Sequence, residues 1–546
     1  MTKPARTIAA RLEAVLRCAD DLAGAWSARA RTSTTPARER ALLRLLGVAG
    51  LDRNGVSLAS AVVERHTGGS PDRLAAGVSL PFAVALLEYD VPPQQLALDV
   101  ASGAVDLGFE GELLARPERR AAAEAEARRI AGLALDRIDD NRVARRELLD
   151  VLGDAPRPWF GLTLAGPMLA SAPDEAAGLV AAGADLVRVR VPAVRELVLR
   201  LHDRGLEPGY WHPREGATLP GDGDPTMVPA GSQRALAIIR ERVDEAAAEA
   251  ARYVRLATSA PALAAPEQAL VAALERMDVV EADPIAEIVA EGVDPDRALA
   301  DHAFGHRLLS RSGAMVLVGP GPLIVAPDLA RGIPADPATR AGRAFAMQAL
   351  AVAFARGDGL GPGQLAAGAL VPWLADERDP AVQALAAVAL RRLAWPEVAL
   401  AFDEPDVPGR SGARWPFLVA LALAVAGPTS LVLRRAGDAD GARSEATGAP
   451  AAAHARSLAA AQAEESTRAA ASLAAEIAEP PGDVLARPIV RIQAEALLAA
   501  AEATLAGIAD EGWSAVLGVP IGGPGMQRLG ADAVVERTEG FDPLAR

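Results

Sequence analysis

The 546-residue sequence contains one cysteine, Cys18, and one lysine, Lys3. A single cysteine excludes a disulfide within the chain, and it excludes thiolate metal sites or iron–sulfur clusters built by this chain alone. Without an interior lysine, the chain cannot by itself form a Schiff base with a carbonyl cofactor or substrate.

Aromatic residues are also scarce, at 3% of the chain against 51% hydrophobic residues. The interior is therefore expected to be helix-rich and packed with aliphatic side chains. The longest apolar run, Trp415 to Val425, is far shorter than the roughly 20 residues that span a bilayer. No secretory signal is visible at the N-terminus, so the sequence predicts a cytoplasmic protein that does not cross a membrane.

The formal net charge is −15. Binding to nucleic acid or to an anionic membrane surface needs clustered cations, so neither is expected as a partner.

The pattern along the chain predicts four regions. Residues 1–150 form a helical accessory region, with a helix start at Thr35 and Pro36. Residues 151–435 alternate short apolar runs with helices, which predicts an α/β fold with parallel strands, a TIM-type β/α barrel. Residues 436–450 are a linker, and 451–546 are a helical hairpin (Ala451 to Ile477 and Val484 to Ile508) followed by a Gly-rich tail.

Polar residues follow several of the predicted strands. In a β/α barrel the carboxyl ends of the strands surround the active-site mouth. The same residues could instead be ordinary loop starts. The candidates for the mouth or a substrate site are Thr258, Ser259, Glu281, Asp283, Asp403 and Glu404.

The motifs for common chemistries are missing. His302 and His306 have a spacing that can place two imidazoles on one metal, but the segment lacks the glutamate of the zinc-protease motif, so no metal site is predicted. No histidine has the Asp-x-His-x-x-Gly context of a cobalamin-binding protein, and no dinucleotide fingerprint or Gly-x-Ser-x-Gly elbow is present. From the residues alone, the chemistry of the barrel stays open.

Short collinear segments nevertheless resemble the alpha subunit family of lysine 5,6-aminomutase. They begin with Arg40 to His66, which includes RLLGVAGLD at 44–52, and continue with Pro92-Pro93-Gln94. Further matches are Gly183-Ala184-Asp185, Tyr253 to Leu256, Glu275 to Val279 and Phe541-Asp542-Pro543. Each segment is short, but their order is maintained over nearly the whole chain.

The resemblance implies a β/α barrel with accessory helices that pairs with a smaller beta subunit. In the family that partner carries the cobalamin domain and the lysine that holds pyridoxal phosphate. The implied reaction moves the terminal amino group of D-lysine or β-lysine to the adjacent carbon. Adenosylcobalamin starts the radical and pyridoxal phosphate carries the nitrogen.

Several positions depart from the family pattern around the pyridoxal phosphate. Arg190 can serve as the family's phosphate-binding arginine with a shift of one residue, but Glu196 follows it and would repel a phosphate. Asp283 matches a family aspartate. Other family contact positions are occupied by residues that offer a phosphate no side-chain donor: Pro261, Ala286, Glu291 and Leu323.

Two functions follow from this resemblance and the departures from it. One is the alpha subunit of an adenosylcobalamin-dependent aminomutase-like isomerase that acts on lysine or a related amino acid, with an altered pyridoxal phosphate pocket. The alternative is a non-catalytic scaffold or regulatory homologue that keeps the barrel and the partner surface. A neighbouring open reading frame with the cobalamin motif and a pyridoxal lysine would favour the first, and its absence would favour the second.

Overall fold

The structure is a computed structural model that describes most, but not all, of the chain. The described ranges are 3–51, 56–155, 159–164, 172–189, 229–261, 263–291, 293–319, 337–368, 380–403, 430–435, 479–517, 533–538 and 541–544.

The N-terminal region is helical, as predicted. Thr35 caps the second helix by accepting a hydrogen bond from the Arg38 N–H at 3.1 Å, with Pro36 in the first turn. A two-residue strand, β1 (Ser33–Thr34), precedes this helix. The helices of the region are Lys3–Thr32, Pro36–Leu45, Leu58–Thr67, Pro71–Ala76, Ser79–Tyr89, Pro93–Ser102, Leu107–Glu112 and Pro117–Leu152, with a 3₁₀ turn at Leu113–Ala115.

These N-terminal helices pack into two different hydrophobic cores. The first helix packs its apolar stripe, including Leu12 and Val15, into the core shared with the barrel. The helices from residue 36 to 152 form a second core around residues such as Leu42 and Phe82, and the barrel helices contribute Phe304 to it. The predicted boundary at residue 150 stays a prediction, since one long helix, Pro117–Leu152, runs across it.

Eight parallel strands close into a barrel, which confirms the predicted fold class. The barrel is closed because its first strand pairs with its last, with Trp159 opposite Leu431. The strands in chain order are β2 (Trp159–Thr163), β3 (Leu186–Arg188), β4 (Arg255–Ser259), β5 (Val279–Glu281), β6 (Met315–Val318), β7 (Leu365–Gly368), β8 (Ala399–Asp403) and β9 (Ser430–Arg435).

Alternation along the strands separates two faces. Leu186, Ala257 and Leu317 pack with one another inside the barrel. Their strand neighbours, such as Leu256 and Val316, pack outward against the helices. Only polar residues that alternate in step with the inward-facing residues of their strand can therefore point into the mouth.

Helices cover the outside of the barrel, and in the described ranges they return the chain from each strand to the next as far as β8, as parallel pairing requires. β7 is a strand that the sequence analysis did not predict. The described helices of this region are Ala172–Ala181, Pro229–Glu249, Ala265–Leu274, Pro284–Ala286, Pro295–Ser312, Pro337–Gly357 and Pro380–Ala394, with a π-helical turn at Glu287–Glu291 and a 3₁₀ turn at Pro362–Gln364.

A charged network closes the bottom of the barrel, at the amino ends of the strands. Asp278, just before β5, accepts hydrogen bonds from Arg145 Nε at 2.8 Å, Arg240 Nη1 at 3.2 Å and the Tyr253 hydroxyl at 2.7 Å. Its Oδ2 also accepts the Leu256 N–H at 2.9 Å. Burial alone would raise the pKa of Asp278, but the two guanidinium groups and these donors hold it below its ordinary value.

The C-terminal region contributes the helices Pro481–Val484, Pro488–Glu511 and Ser514–Leu517, and the strand β10 (Val535–Glu536), which pairs with β1. Among the described helices, Pro488–Glu511 alone has the length and apolar composition to cross a membrane. One face of it, which includes Leu497 and Leu505, is buried in the barrel-side core, as in an ordinary core helix. The first arm of the predicted hairpin, Ala451 to Ile477, lies outside the described residues.

Candidate functional site

The barrel mouth lies at the carboxyl ends of the strands, where β/α barrels carry their chemistry. Its described part includes the ends of β3, β4 and β5 together with the residues that follow β5 and β6. Four of the predicted residues fall in this part: Thr258, Ser259, Glu281 and Asp283.

A partly buried ion pair lies on the inner face of the mouth. Arg188, the last residue of β3, donates from Nη2 to Oε1 of Glu281, the last residue of β5. The Arg188 side chain is 6% exposed and that of Glu281 34%, so the carboxylate is the part that solvent or a ligand can reach. One cation and one anion therefore stand side by side at the opening.

Ser259 and Thr258 separate onto opposite faces of β4. Ser259 is in register with Glu281 and alternates with inward-facing Ala257, so it shares the inner face. Thr258 has the opposite parity and faces the helix layer. It is buried, and its hydroxyl has no hydrogen-bond partner in the described part of the chain. The structure thus brings Ser259 and Glu281 together but not Thr258.

Asp283 ties together the chain segments that follow β5 and β6. Its Oδ1 accepts the N–H groups of Ile285 at 3.0 Å and Ala286 at 3.2 Å, and its Oδ2 accepts the N–H of Gly319 at 2.8 Å. Burial raises the pKa of Asp283 to about 6, although the three N–H groups and nearby His306 all act to lower it. Asp283 is thus an anchor of the mouth whose charge state changes near neutral pH.

The remaining predicted residues are less fully described. Asp403 is the last residue of β8, in register with Leu433, so its backbone lies at the mouth end. Glu404 and Arg190 lie outside the described residues. Their place at the mouth stays a prediction.

The two histidines face separate carboxylates and do not share one. Each ring contacts its own carboxylate: His302 Nε2 lies 2.9 Å from Glu287 Oε2, and His306 Nδ1 lies 3.2 Å from Asp358 Oδ2. In the part of the chain that the structure describes, no group of three or more His, Cys, Asp or Glu is placed to hold a metal ion. Both rings are buried between the barrel and its helices, away from the helix surface.

Arg188 is the mouth residue that the sequence analysis missed. The signal was present in the run Val187-Arg188-Val189-Arg190, because the two arginines of an alternating strand share one face. Arg190 was selected from the family resemblance and lies outside the described residues, whereas alternation from the inward-facing Leu186 places Arg188 inside the barrel.

A second buried arginine marks the opposite end of the barrel. Arg255, the first residue of β4, lies with its guanidinium carbon 3.4 Å from the ring centroid of Trp159 and pairs with Asp154 at 2.7 Å. Arg255 and Arg188 are both buried and ion-paired. They differ in which end of the barrel they occupy.

Comparisons with known proteins agree with the barrel. The family model described as "D-Lysine 5,6-aminomutase TIM-barrel domain of alpha subunit" matches residues 9–541. The lysine 5,6-aminomutase alpha subunit of Acetoanaerobium sticklandii is 26% identical over 293 residues, which are 52% of this chain and 51% of the relative. That of Fusobacterium nucleatum is 27% identical over 291 residues, 52% of this chain and 50% of the relative. The chain spans about half the length of the curated relatives it matches.

Proposed function

Because this chain belongs to the family of the TIM-barrel domain of the D-lysine 5,6-aminomutase alpha subunit, we propose that it is the alpha subunit of an adenosylcobalamin-dependent, aminomutase-like isomerase of the cytoplasm. Its substrate in this proposal is lysine or a related amino acid, bound at the barrel mouth. Its partner is a smaller beta subunit that carries the cobalamin.

The ion pair of Arg188 and Glu281 is the observation that carries this proposal. An amino acid presents a carboxylate and one or more ammonium groups. A guanidinium matches the carboxylate with two parallel hydrogen bonds, and a carboxylate matches the ammonium. The pair at the mouth therefore supplies both complementary charges within the span of two strand ends, and Ser259 adds a hydroxyl on the same face.

The described mouth does not fit the phosphate of pyridoxal phosphate. A phosphate needs N–H donors or cations. The N–H groups of Ile285, Ala286 and Gly319 already donate to the carboxylate of Asp283. Glu281 beside Arg188 would repel a phosphate, which, unlike an amino acid, brings no ammonium to pair with that carboxylate. Pro261 has no N–H to offer. The proposed role of this chain therefore does not include binding the phosphate of pyridoxal phosphate.

In this proposal the chain binds and orients the substrate and shields it from water. Arg188 and Glu281 would fix the two ends of the substrate head, and the closed barrel beneath them excludes water. Cobalamin, held by the partner, would supply the radical that starts the rearrangement. A mouth that holds the substrate out of water suits such a reaction, because solvent would otherwise quench the radical.

The experiment is reconstitution with the partner. The chain is co-purified from its native host, bound corrinoid is identified by absorbance, and amino-group migration is followed with ¹⁵N-lysine and β-lysine. The variants Arg188→Gln and Glu281→Gln should lower kcat/KM by about a hundredfold, since each removes one charge-assisted contact.

Arg255→Gln is the matched control, because Arg255 is equally buried and ion-paired but lies at the far end of the barrel. It should leave kcat/KM within about threefold of the wild type. A corrinoid-loaded complex that converts neither amino acid would refute an isomerase of lysine or β-lysine and favour the scaffold. A control as inactive as the mouth variants would instead refute the assignment of substrate binding to Arg188 and Glu281.

A further inference from the structure

Thr163, the last residue of β2, lies on the inner face of the barrel mouth. It stands two residues after Gly161, which is in register with the inward-facing Leu186. Because side chains alternate along a strand, Thr163 has the same inward parity. Its own neighbour in register is Arg188 of the mouth ion pair, on the adjacent strand β3. The mouth therefore places a hydroxyl side chain next to the residue that carries its guanidinium.

The hydroxyl of Thr163 is buried without a partner. The residue is 3% exposed, and its Oγ1 has no hydrogen-bond partner in the described part of the chain. Buried hydroxyls in folded proteins nearly always pair, because an unpaired one has lost its hydrogen bonds to water and gained none. A threonine hydroxyl can both donate and accept a hydrogen bond. The unused hydrogen-bonding capacity of Thr163 therefore points to a group that binds there.

Four polar side chains follow one another around this side of the mouth, one on each of the strands β2 to β5. In strand order they are Thr163, Arg188, Ser259 and Glu281. Thr163 is in register with Arg188, and Ser259 is in register with Glu281. Neighbouring strands are about 5 Å apart, so each charged residue has a hydroxyl residue beside it. Donors for an anion therefore lie toward β2, and acceptors for a cation lie toward β5.

The contact between the two charged residues sets the spacing of the charges in a ligand. Arg188 Nη2 donates to Oε1 of Glu281, so a ligand that pairs with both must carry its own two charges close together. An amine or a carboxylate alone would pair with one member and leave the other, partly buried charge uncompensated, which is costly. A molecule with both groups on the same carbon or on adjacent carbons replaces one internal ion pair by two. The head group of an α- or β-amino acid has this form.

We propose that Thr163 is a specificity-determining residue of the mouth, whose hydroxyl donates to the carboxylate of an α- or β-amino acid bound by Arg188. The ammonium group next to that carboxylate pairs with Glu281, and Ser259 lies beside it as a second acceptor. These four residues recognise the head group of the amino acid and not its side chain. This inference rests on the proposed function, because it takes an amino acid as the ligand.

The test is isothermal titration calorimetry of the purified chain with lysine and with β-lysine. Thr163→Val keeps the shape of the side chain and removes the hydroxyl. We expect it to raise the Kd of the amino acid by about tenfold, because a hydrogen bond to a charged group is lost. The ligand control is 1,5-diaminopentane, which resembles lysine but lacks the carboxylate. It should bind more weakly than lysine, and Thr163→Val should change its binding by less than about twofold.

Two further variants serve as controls. Thr163→Ser keeps the hydroxyl and should bind the amino acid within about threefold of the wild type. Thr258→Val is the matched control, because Thr258 is also buried near a strand end with a hydroxyl that has no partner among the described residues, but it faces the helix layer. Its Kd should stay within about twofold of the wild type. Thermal melting of each variant checks that it folds.

The outcomes separate this inference from the proposed function. If Arg188→Gln weakens amino-acid binding and Thr163→Val does not, the hydroxyl pairs only with water, and this inference is wrong while the proposed function stands. Equal losses in Thr163→Val and Thr258→Val, or in Thr163→Val and Thr163→Ser, would also refute it, since the effect would then not come from the hydroxyl at the mouth. A wild-type chain that binds neither amino acid would overturn both.

Discussion

Removal of the Asp278 carboxylate tests the charged network at the bottom of the barrel. The variant Asp278→Ala leaves the guanidinium groups of Arg145 and Arg240 buried without this anion, and it removes acceptors for the Tyr253 hydroxyl and the Leu256 N–H. Breaking one partner of a buried ion pair costs about 3–5 kcal/mol. Arg240 keeps Asp244, and Arg145 keeps two carbonyl acceptors, so we expect the lower half of that range.

The assay is urea unfolding at pH 7, with two reference variants. Asp278→Asn keeps the shape and one acceptor oxygen and should lose less stability than the alanine variant. Asp139→Ala removes a half-exposed ion pair with Arg311 and should cost less than about 1 kcal/mol.

The pH dependence gives an independent check. The pKa of Asp278 is below its ordinary value in the folded state, so its contribution to stability is present above the unfolded pKa and is lost as the pH falls through the folded pKa. The gap between wild type and Asp278→Asn should therefore shrink on acidification. A loss below about 1 kcal/mol for Asp278→Ala at pH 7 would refute the view that this network holds the barrel bottom together.

Four further predictions concern cofactors, pH and packing. First, borohydride reduction of the chain with pyridoxal phosphate should trap no adduct between residues 150 and 435, since Lys3 is the only lysine; mass spectrometry of peptides checks this, and an adduct in that range would contradict it. Second, the isolated chain should elute from size exclusion without bound corrinoid, and tightly bound corrinoid would contradict the division of labour between subunits. Third, burial raises the pKa of Asp283 to about 6. The contribution of Asp283 to stability therefore favours the folded state below the unfolded pKa and is lost as the pH rises through about 6. Asp283→Asn should flatten the change of Tm between pH 4 and 7, and an unchanged slope would contradict this prediction. Fourth, a Cβ at Gly342 would lie 2.5 Å from the Leu497 carbonyl oxygen. Gly342→Ala should therefore lower the free energy of unfolding in urea by about 1–3 kcal/mol. Gly178 has open space around it, so Gly178→Ala should be neutral or stabilising by up to about 1 kcal/mol.

The barrel could be predicted because periodicity is a local property. Short apolar runs separated by amphipathic helices allow only parallel pairing with crossover helices, and a repeated pattern of this kind closes into a barrel. β7 escaped prediction because its residues Leu365 to Gly368 include two alanines and a glycine, which have low strand propensity. The strand forms because β6 and β8 pair with it on both sides, and that pairing is long-range.

The site was predictable only in its general location. Strand-end polarity selected Ser259 and Glu281, and the pairing of β4 with β5 sets these two residues in register. The same criterion selected Thr258, because polarity does not report on which side of a strand a residue lies. It passed over Arg188, whose importance depends on the carboxylate two strands away.

The sequence by itself determined the class of fold, the lack of an interior lysine and the family to which the barrel belongs, because composition, periodicity and collinear motifs are written along the chain. The tertiary structure alone decided the charge pairs. Arg188 meets Glu281 across 93 residues, and His306 meets Asp358 across 52. Electrostatic interactions depend on distance and burial in space, and neither quantity can be obtained from separation along the sequence.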